Sequence, residues 1–268
     1  MIRDDISTAL VSPDRVELEW AYQPVDFFEF AYEYSYPDFE VSVEDGRAVA
    51  TLTTPHEPVA PALQQQIVDC MTGIFLARQL QTHREFDLGL PKVHVHRGSR
   101  TSSSKGFTID GIIAEAIPPD VVTTDADGNV HDTRAERIAR HAATLDLLAT
   151  KLSRGSVLRR MLESYSRAVE DPDDEWIYLY EIREALATHY RSHRKARAAL
   201  GIAQGEWDRV GLLANVEPIL QGRHRGHHGN LRPATQEELA EVRQTVRRWI
   251  ETFAQHLPSS CDSEDDFG

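Results

Sequence analysis

The apolar pattern changes its period once along this chain, near residue 132, and that break limits the folds open to it. Upstream, short alternating runs are punctuated by Pro and Gly; downstream, apolar residues recur at intervals of three and four over long stretches. Two periods kept in separate parts of one chain predict an α+β protein. The reading is a mixed α/β domain over residues 1–131, an all-α helical bundle over 132–257 and a tail over 258–268. A length of 268 residues suits one large or two small domains with real cores.

In the first part, residues 39–43 and 48–53 flank Asp45-Gly46, a strong hairpin signal, and Val41 and Val43 alternate with polar neighbours. Pro55, Pro58 and Pro61 then interrupt the chain. Leu63, Ile67, Cys70, Met71 and Ile74 predict a helix over 62–81. A short strand is expected at 92–95, a Ser-rich loop at 97–106, one or two strands at 107–117 and a turn at 125–129.

In the second part, Thr133-x-x-Glu136 reads as a capping box ahead of the stripe Ile138, Ala142, Leu145, Leu148 and Leu152. A helix is expected over 157–169. Asp173 or Asp174 is a candidate cap for the next, whose stripe is Leu179, Ile182, Leu186 and Tyr190. Trp207, Val210 and Leu213 mark a further helix over 206–217. A second capping box, Thr235-x-x-Glu238, opens a last helix striped by Leu239, Val242, Val246, Trp249, Ile250 and Phe253. Such a bundle is expected to fold independently. The tail is acidic and aperiodic, and is expected to be disordered.

Composition narrows the function. Two cysteines, Cys70 and Cys261, exclude a disulfide framework and a thiolate metal cluster, and a cytoplasmic location is expected. No apolar run reaches about 18 residues, so no membrane span is expected. His94-x-His96 alternates onto one strand face, but no HExxH pattern exists, and neither metal nor cofactor is expected. The formal net charge of −14 argues against indiscriminate nucleic-acid binding. The charge is uneven, however. Residues 1–130 hold 9 Lys and Arg against 21 Asp and Glu, whereas residues 183–250 hold 12 against 7. The second segment is the one suited to a polyanion.

The densest group of reactive side chains lies inside that segment, in the run Gly-Arg-His-Arg-Gly-His-His-Gly-Asn over 222–230. Arg223 and His228 have four residues between them. A guanidinium holds and neutralises a phosphate, and an imidazole titrating near neutral pH moves a proton to or from a ribose hydroxyl. His224 and His227 are supporting candidates. Glu181 and Glu184 share one helix and either can orient a histidine, and Asn215 stands near the end of its own helix.

On Arg223, His224 and His228, set between a penultimate and a final long helix, residues 155–257 resemble the HEPN superfamily. The run Leu-Tyr-Glu-Ile-Arg-Glu over 179–184 and the Leu-Gly-Ile turn over 200–202 are similar to bacterial members. The resemblance implies a helical bundle and a metal-independent endoribonuclease of the toxin or antiviral-defence kind. It implies RNA cleavage by 2′-hydroxyl attack, with Arg223, His228 and His224 as site residues. It also implies a homodimer. Members that lack activity supply the alternative, a non-catalytic interaction or sensor module that meets a protein partner through residues 1–131.

Overall fold

A computed structural model describes residues 14–55, 58–96, 120–124, 130–152, 156–223 and 230–258. The protein is α+β, with an antiparallel sheet preceding the helices. It divides into two units: residues 1–71 with 87–138, and residues 72–86 with 139–268. The division falls at 138/139 rather than 131/132, and it assigns the segment 72–86 to the helical unit.

The first unit is built on β1, Arg15–Gln23. Val16, Leu18, Trp20 and Tyr22 alternate along it and are all buried. Period-two alternation puts every such side chain on one face of a strand. β1 pairs antiparallel with β4, Arg47–Leu52, and on its other side with β5, Asp87–Leu88, and β6, Lys92–His96. β4 continues through β3, Phe39–Glu44, to β2, Tyr32–Ser35. Trp20 faces Ala48 and Leu18 faces Ala50 across the β1–β4 ladder, so small residues make room for large ones. Each fully buried apolar side chain here contributes about 1.5–3 kcal/mol.

The predicted hairpin forms. Asp45 and Gly46 both have positive φ, 49° and 78°, which matches the right-handed twist of the joined strands. The opposite sheet face is polar: Glu19 accepts from Arg47 at 2.7 Å, and Glu17 meets His96 at 2.9 Å. Arg47 holds the Glu19 carboxyl below its ordinary range.

The helix predicted over 62–81 is α1, Pro61–Thr82, and the stripe after residue 132 is α2, Thr133–Leu152. The capping box read at Thr133 is not how α2 starts. Asp132 accepts from the backbone N–H groups of Arg134 and Ala135, while the Thr133 hydroxyl bonds the backbone of Val121 in the approach to β7, Val122–Thr124. β7 pairs with β8, Val130–Asp132. The segments 97–106, 107–117 and 125–129 lie outside the described residues, and β7 and β8 flank the last of them.

The second unit contains α3, Ser156–Glu170; α4, Glu175–His189; α5, His193–Leu200; α6, Gln204–Asn215; and α7, Gln236–His256. The capping box at Thr235 forms in full. Asp174 occupies the N-cap position of α4 without a side-chain capping bond. Trp176, Trp207, Trp249, Tyr165 and Phe253 are the large members of the core. Among them lies a buried carboxylate, Glu175, gripped by Arg243 through Nε at 2.6 Å and Nη2 at 2.8 Å. His83 stands 3.7 Å from Glu175, with its other ring nitrogen 3.0 Å from the Tyr165 hydroxyl. Arg78 reaches His141 at 3.0 Å, and the Arg247 guanidinium donates to the Gln81 carbonyl at 3.1 Å. Segment 72–86 therefore supplies polar groups to the helical unit, and residues 132–257 alone lack them.

Burial, aided by the Arg243 cation, drives the His83 imidazole down from 6.5 to about 3. The unfolded chain protonates this group near 6.5 and the folded chain does not until about 3, so the unfolded state binds more protons between those values. The stability contributed by neutral His83 is full above about 6.5 and is lost as pH falls toward 3, by at most about 1.4 kcal/mol per pH unit. Asn tolerates the positive φ of 49° at this position. Melting temperature should therefore fall more steeply between about pH 6.5 and 5 in the wild type than in His83→Asn; equal slopes would contradict this account.

At the end of α7, the buried Lys151 ammonium donates to the carbonyls of Leu257 and Pro258, both at 2.9 Å. Pro258, the first residue of the segment read as a tail, is thus held by Lys151, and 259–268 lie outside the described residues. Truncation after Pro258 should move the melting temperature by no more than about two degrees, a surface-sized effect. Truncation after His256 removes both acceptors and should cost about 1–3 kcal/mol, at about 2–4 °C per kcal/mol for a chain of this size.

Candidate functional site

Within the helical unit, α4 and α6 frame an open cleft of about 470 Å³ lined by Tyr180, Arg183, Asp208, Leu212, Asn215 and Val216, among others. Its inner wall is set by Arg183. The Arg183 guanidinium donates through Nε to the Trp207 carbonyl at 3.3 Å, and through Nη1 to the Tyr180 hydroxyl at 3.3 Å and Glu184 at 2.8 Å. It lies 4.9 Å from the Trp207 ring centroid and 5.3 Å from that of Tyr180, within cation–π range. A side chain at Gly211 would begin 3.3 Å from Nη2, so the bare α6 backbone is what lets the guanidinium lie flat there.

Tyr180, Arg183 and Glu184 stand at i, i+3 and i+4 on α4 and so share a face. Burial, followed by the hydrogen bond to Glu184, pushes the Tyr180 phenol above its ordinary value despite Arg183 and Arg223 nearby. Tyr180 therefore stays protonated at neutral pH and presents a neutral ring to two cations.

Arg223 is the second of those cations. Its guanidinium lies 4.9 Å from the Tyr180 ring centroid, and the residue is exposed. Main-chain bonds fix its position. The Arg223 N–H donates to the Ala214 carbonyl at 2.9 Å, and Gly222 donates to Ile219 at 3.0 Å. Buried Gly222 leaves no room for a side chain: a Cβ there would sit 3.1 Å from the Ala214 oxygen and 3.3 Å from the Ile219 oxygen. A parallel bridge between Ile219 and Arg232 brings together the chain before Arg223 and the chain after residue 230. Arg232 is held in turn by both carboxylate oxygens of Glu238 at 2.7 Å, which pulls the Glu238 carboxyl down to about 2.

The residues proposed from sequence divide into three groups. Arg223, Glu184 and Asn215 come together: Asn215 lines the cleft, Glu184 bonds its guanidinium wall, and Arg223 lies against its tyrosine. Glu181 does not join them. It is exposed and accepts from Ser164 at 3.3 Å. His224, His227 and His228 lie outside the described residues. Reading the sequence missed Tyr180 and Arg183 as site residues; their i, i+3, i+4 spacing with Glu184 was the available signal. At the sheet, His94 and His96 face Glu19 and Glu17 at 3.6 and 2.9 Å, and no group of three or more metal-ligating side chains occurs among the described residues.

Comparison with protein-family models, with curated proteins and with solved structures returns no match for this chain. The site therefore stands on its own chemistry: a pinned guanidinium, a protonated phenol, an amide and an exposed, backbone-anchored arginine around one open cleft.

Gly222→Ala tests how tightly Arg223 is anchored. The methyl group must displace backbone carbonyls rather than a mobile side chain, and should destabilise by about 1–3 kcal/mol. Gly205→Ala is the contrast. Nothing lies within 4 Å of a Cβ at that α6 position, and the better helix former should stabilise by about 0.5–1 kcal/mol. Thermal melts of the two variants should shift in opposite directions.

Proposed function

We propose that the helical unit is a metal-independent endoribonuclease whose reaction centre is Arg223 with His228. The observation that carries this reading is Arg223 itself: an exposed guanidinium, anchored by its own backbone to α6 and stacked on Tyr180, beside a cleft walled by a second guanidinium. One guanidinium in the cleft wall and another beside it suit a phosphodiester, because a preorganised guanidinium needs no rearrangement to meet charge developing on phosphate oxygens.

In this reaction the ribose 2′-oxygen bonds to phosphorus as the bond from phosphorus to the 5′-oxygen breaks. The 2′-hydroxyl proton passes to one imidazole, and the leaving 5′-oxygen takes a proton from another. His228 fills one of these roles. His224, or the corresponding histidine of a second copy of the chain, fills the other. Arg223 neutralises the pentacovalent phosphate. Asn215 lines the cleft, and in this reading its amide hydrogen-bonds the substrate. The product ends in a 2′,3′-cyclic phosphate.

Single-turnover cleavage of a labelled RNA tests the assignment. Arg223→Ala and His228→Ala should each lower the rate by roughly 10²–10⁴-fold. A 2′-deoxy substitution at the cleavage position should abolish it, and chelator should leave it unchanged. Full activity in both variants would refute the roles of Arg223 and His228. A folded wild type that cleaves no RNA would favour the non-catalytic interaction module.

A further inference from the structure

From residue 185 to residue 205 this acidic chain has no Asp or Glu, and the stretch contains Arg191, Arg194, Lys195 and Arg197. Arg191, Arg194 and Lys195 are exposed, and Arg197 is half-buried. None of the four has a carboxylate partner among the described residues, where most other arginines of the helical unit do: Arg159, Arg183, Arg209, Arg232, Arg243, Arg247 and Arg248. The chain has 43 acidic residues, so a cationic patch with no carboxylate partner among the described residues needs a reason.

Helix stability is not that reason for Arg194 and Lys195. α5 opens at the Ser192 cap, and His193, Arg194 and Lys195 are its first three residues. A helix N-terminus carries partial positive charge, so cations in the first turn oppose the dipole and acidic residues would favour it. Arg194 and Lys195 stand where they weaken their own helix, whereas Arg191 follows the C-terminus of α4 and Arg197 lies in the last turn of α5. That arrangement is sensible if a negative ligand meets them.

The patch is linked to the cleft through His193 and Trp207. The His193 ring packs edge-on against Trp207 with centroids 5.8 Å apart, and the Arg183 guanidinium lies 4.9 Å from the same indole. Arg183 in turn touches Tyr180, which carries Arg223. One unbroken run of packed groups thus leads from the exposed face of α5 to the guanidinium at the reaction centre.

We infer that α5 is an RNA-backbone subsite: Arg191, Arg194, Lys195 and Arg197 hold phosphates of the strand that flanks the scissile bond in the Arg223 cleft. The inference rests on the endoribonuclease reading for the identity of the strand. It adds that the enzyme prefers long substrates, since none of the four cations lines the cleft and only a strand that extends beyond it meets α5. Phosphate binding of this kind adds affinity and register without sequence preference.

The experiment uses the full chain and the double charge reversal Arg194→Glu with Lys195→Glu. The probe is a labelled, fully 2′-O-methylated RNA of about 16 nucleotides, which cannot be cleaved. Binding is read by fluorescence anisotropy at about 50 and 200 mM salt. The variant should bind at least about tenfold more weakly at the lower salt. Its slope of log affinity against log salt should shrink by about 0.7 for each phosphate that it no longer neutralises. Its melting temperature should be unchanged or higher, because acidic residues suit the first turn of a helix. Cleavage of a dinucleotide should proceed at the wild-type rate while cleavage of long RNA slows. Unchanged affinity and salt slope in the variant, or no RNA binding by the wild type, overturns the subsite. A wild type that binds the long RNA through α5 but cleaves neither substrate leaves the subsite standing and removes the nuclease reading.

Discussion

The helical unit's candidate site depends on where one guanidinium is held. Arg183 reaches from α4 to the Trp207 carbonyl on α6, lies against the Trp207 ring and rests on the bare backbone of Gly211. Its fork satisfies a carbonyl, a phenol and a carboxylate at once, which a lysine's point charge would not do. The cationic wall and the seat on which Arg223 lies follow from this placement, while burial and the bond to Glu184 keep Tyr180 protonated. The same indole meets the basic helix α5, so a single aromatic ring joins the two cationic surfaces.

A second polar interaction works deeper in the unit. Glu175 is buried and bidentately bonded by Arg243. Taking both charges out of water costs several kcal/mol per ion, repaid only by good geometry, so such a pair marks specificity of packing more than net stability. Its effect extends to His83, which burial and the Arg243 cation keep neutral beside a carboxylate. The helical unit thus has a half-buried imidazole whose pKa is driven far below its ordinary range. The sheet instead keeps Glu17 and Glu19 on its polar face with Arg47 and His96.

Much of the architecture was legible because local chemistry and tertiary context agreed. The Asp45-Gly46 turn, the helix after Pro61 and the Thr235 capping box all formed as their residues predict. Thr133 went otherwise because a stronger local acceptor, Asp132, sat one residue earlier and the threonine found a backbone partner at Val121. The central strand β1 was not read, although Val16, Leu18, Trp20 and Tyr22 alternate without a break. Its pairing with β4, β5 and β6 involves residues far along the chain, and no local pattern encodes that.

By itself the sequence determined the α+β class, the change of period near residue 132, the hairpin and the charge asymmetry that makes residues 183–250 cationic. It also singled out Arg223 by its neighbours. Only the tertiary structure decided that Arg223 would lie against Tyr180, that Glu184 and not Glu181 would join it, and that the segment 72–86 would contribute to the helical unit. The reason is physical. Periodicity and capping act over a few residues and are written in the order of the chain. The meeting of a guanidinium with a ring 43 positions away depends on how the chain after α6 folds back toward α4, which the bare backbone at Gly222 permits against the Ala214 and Ile219 carbonyls, as Gly211 permits Arg183 to lie on α6.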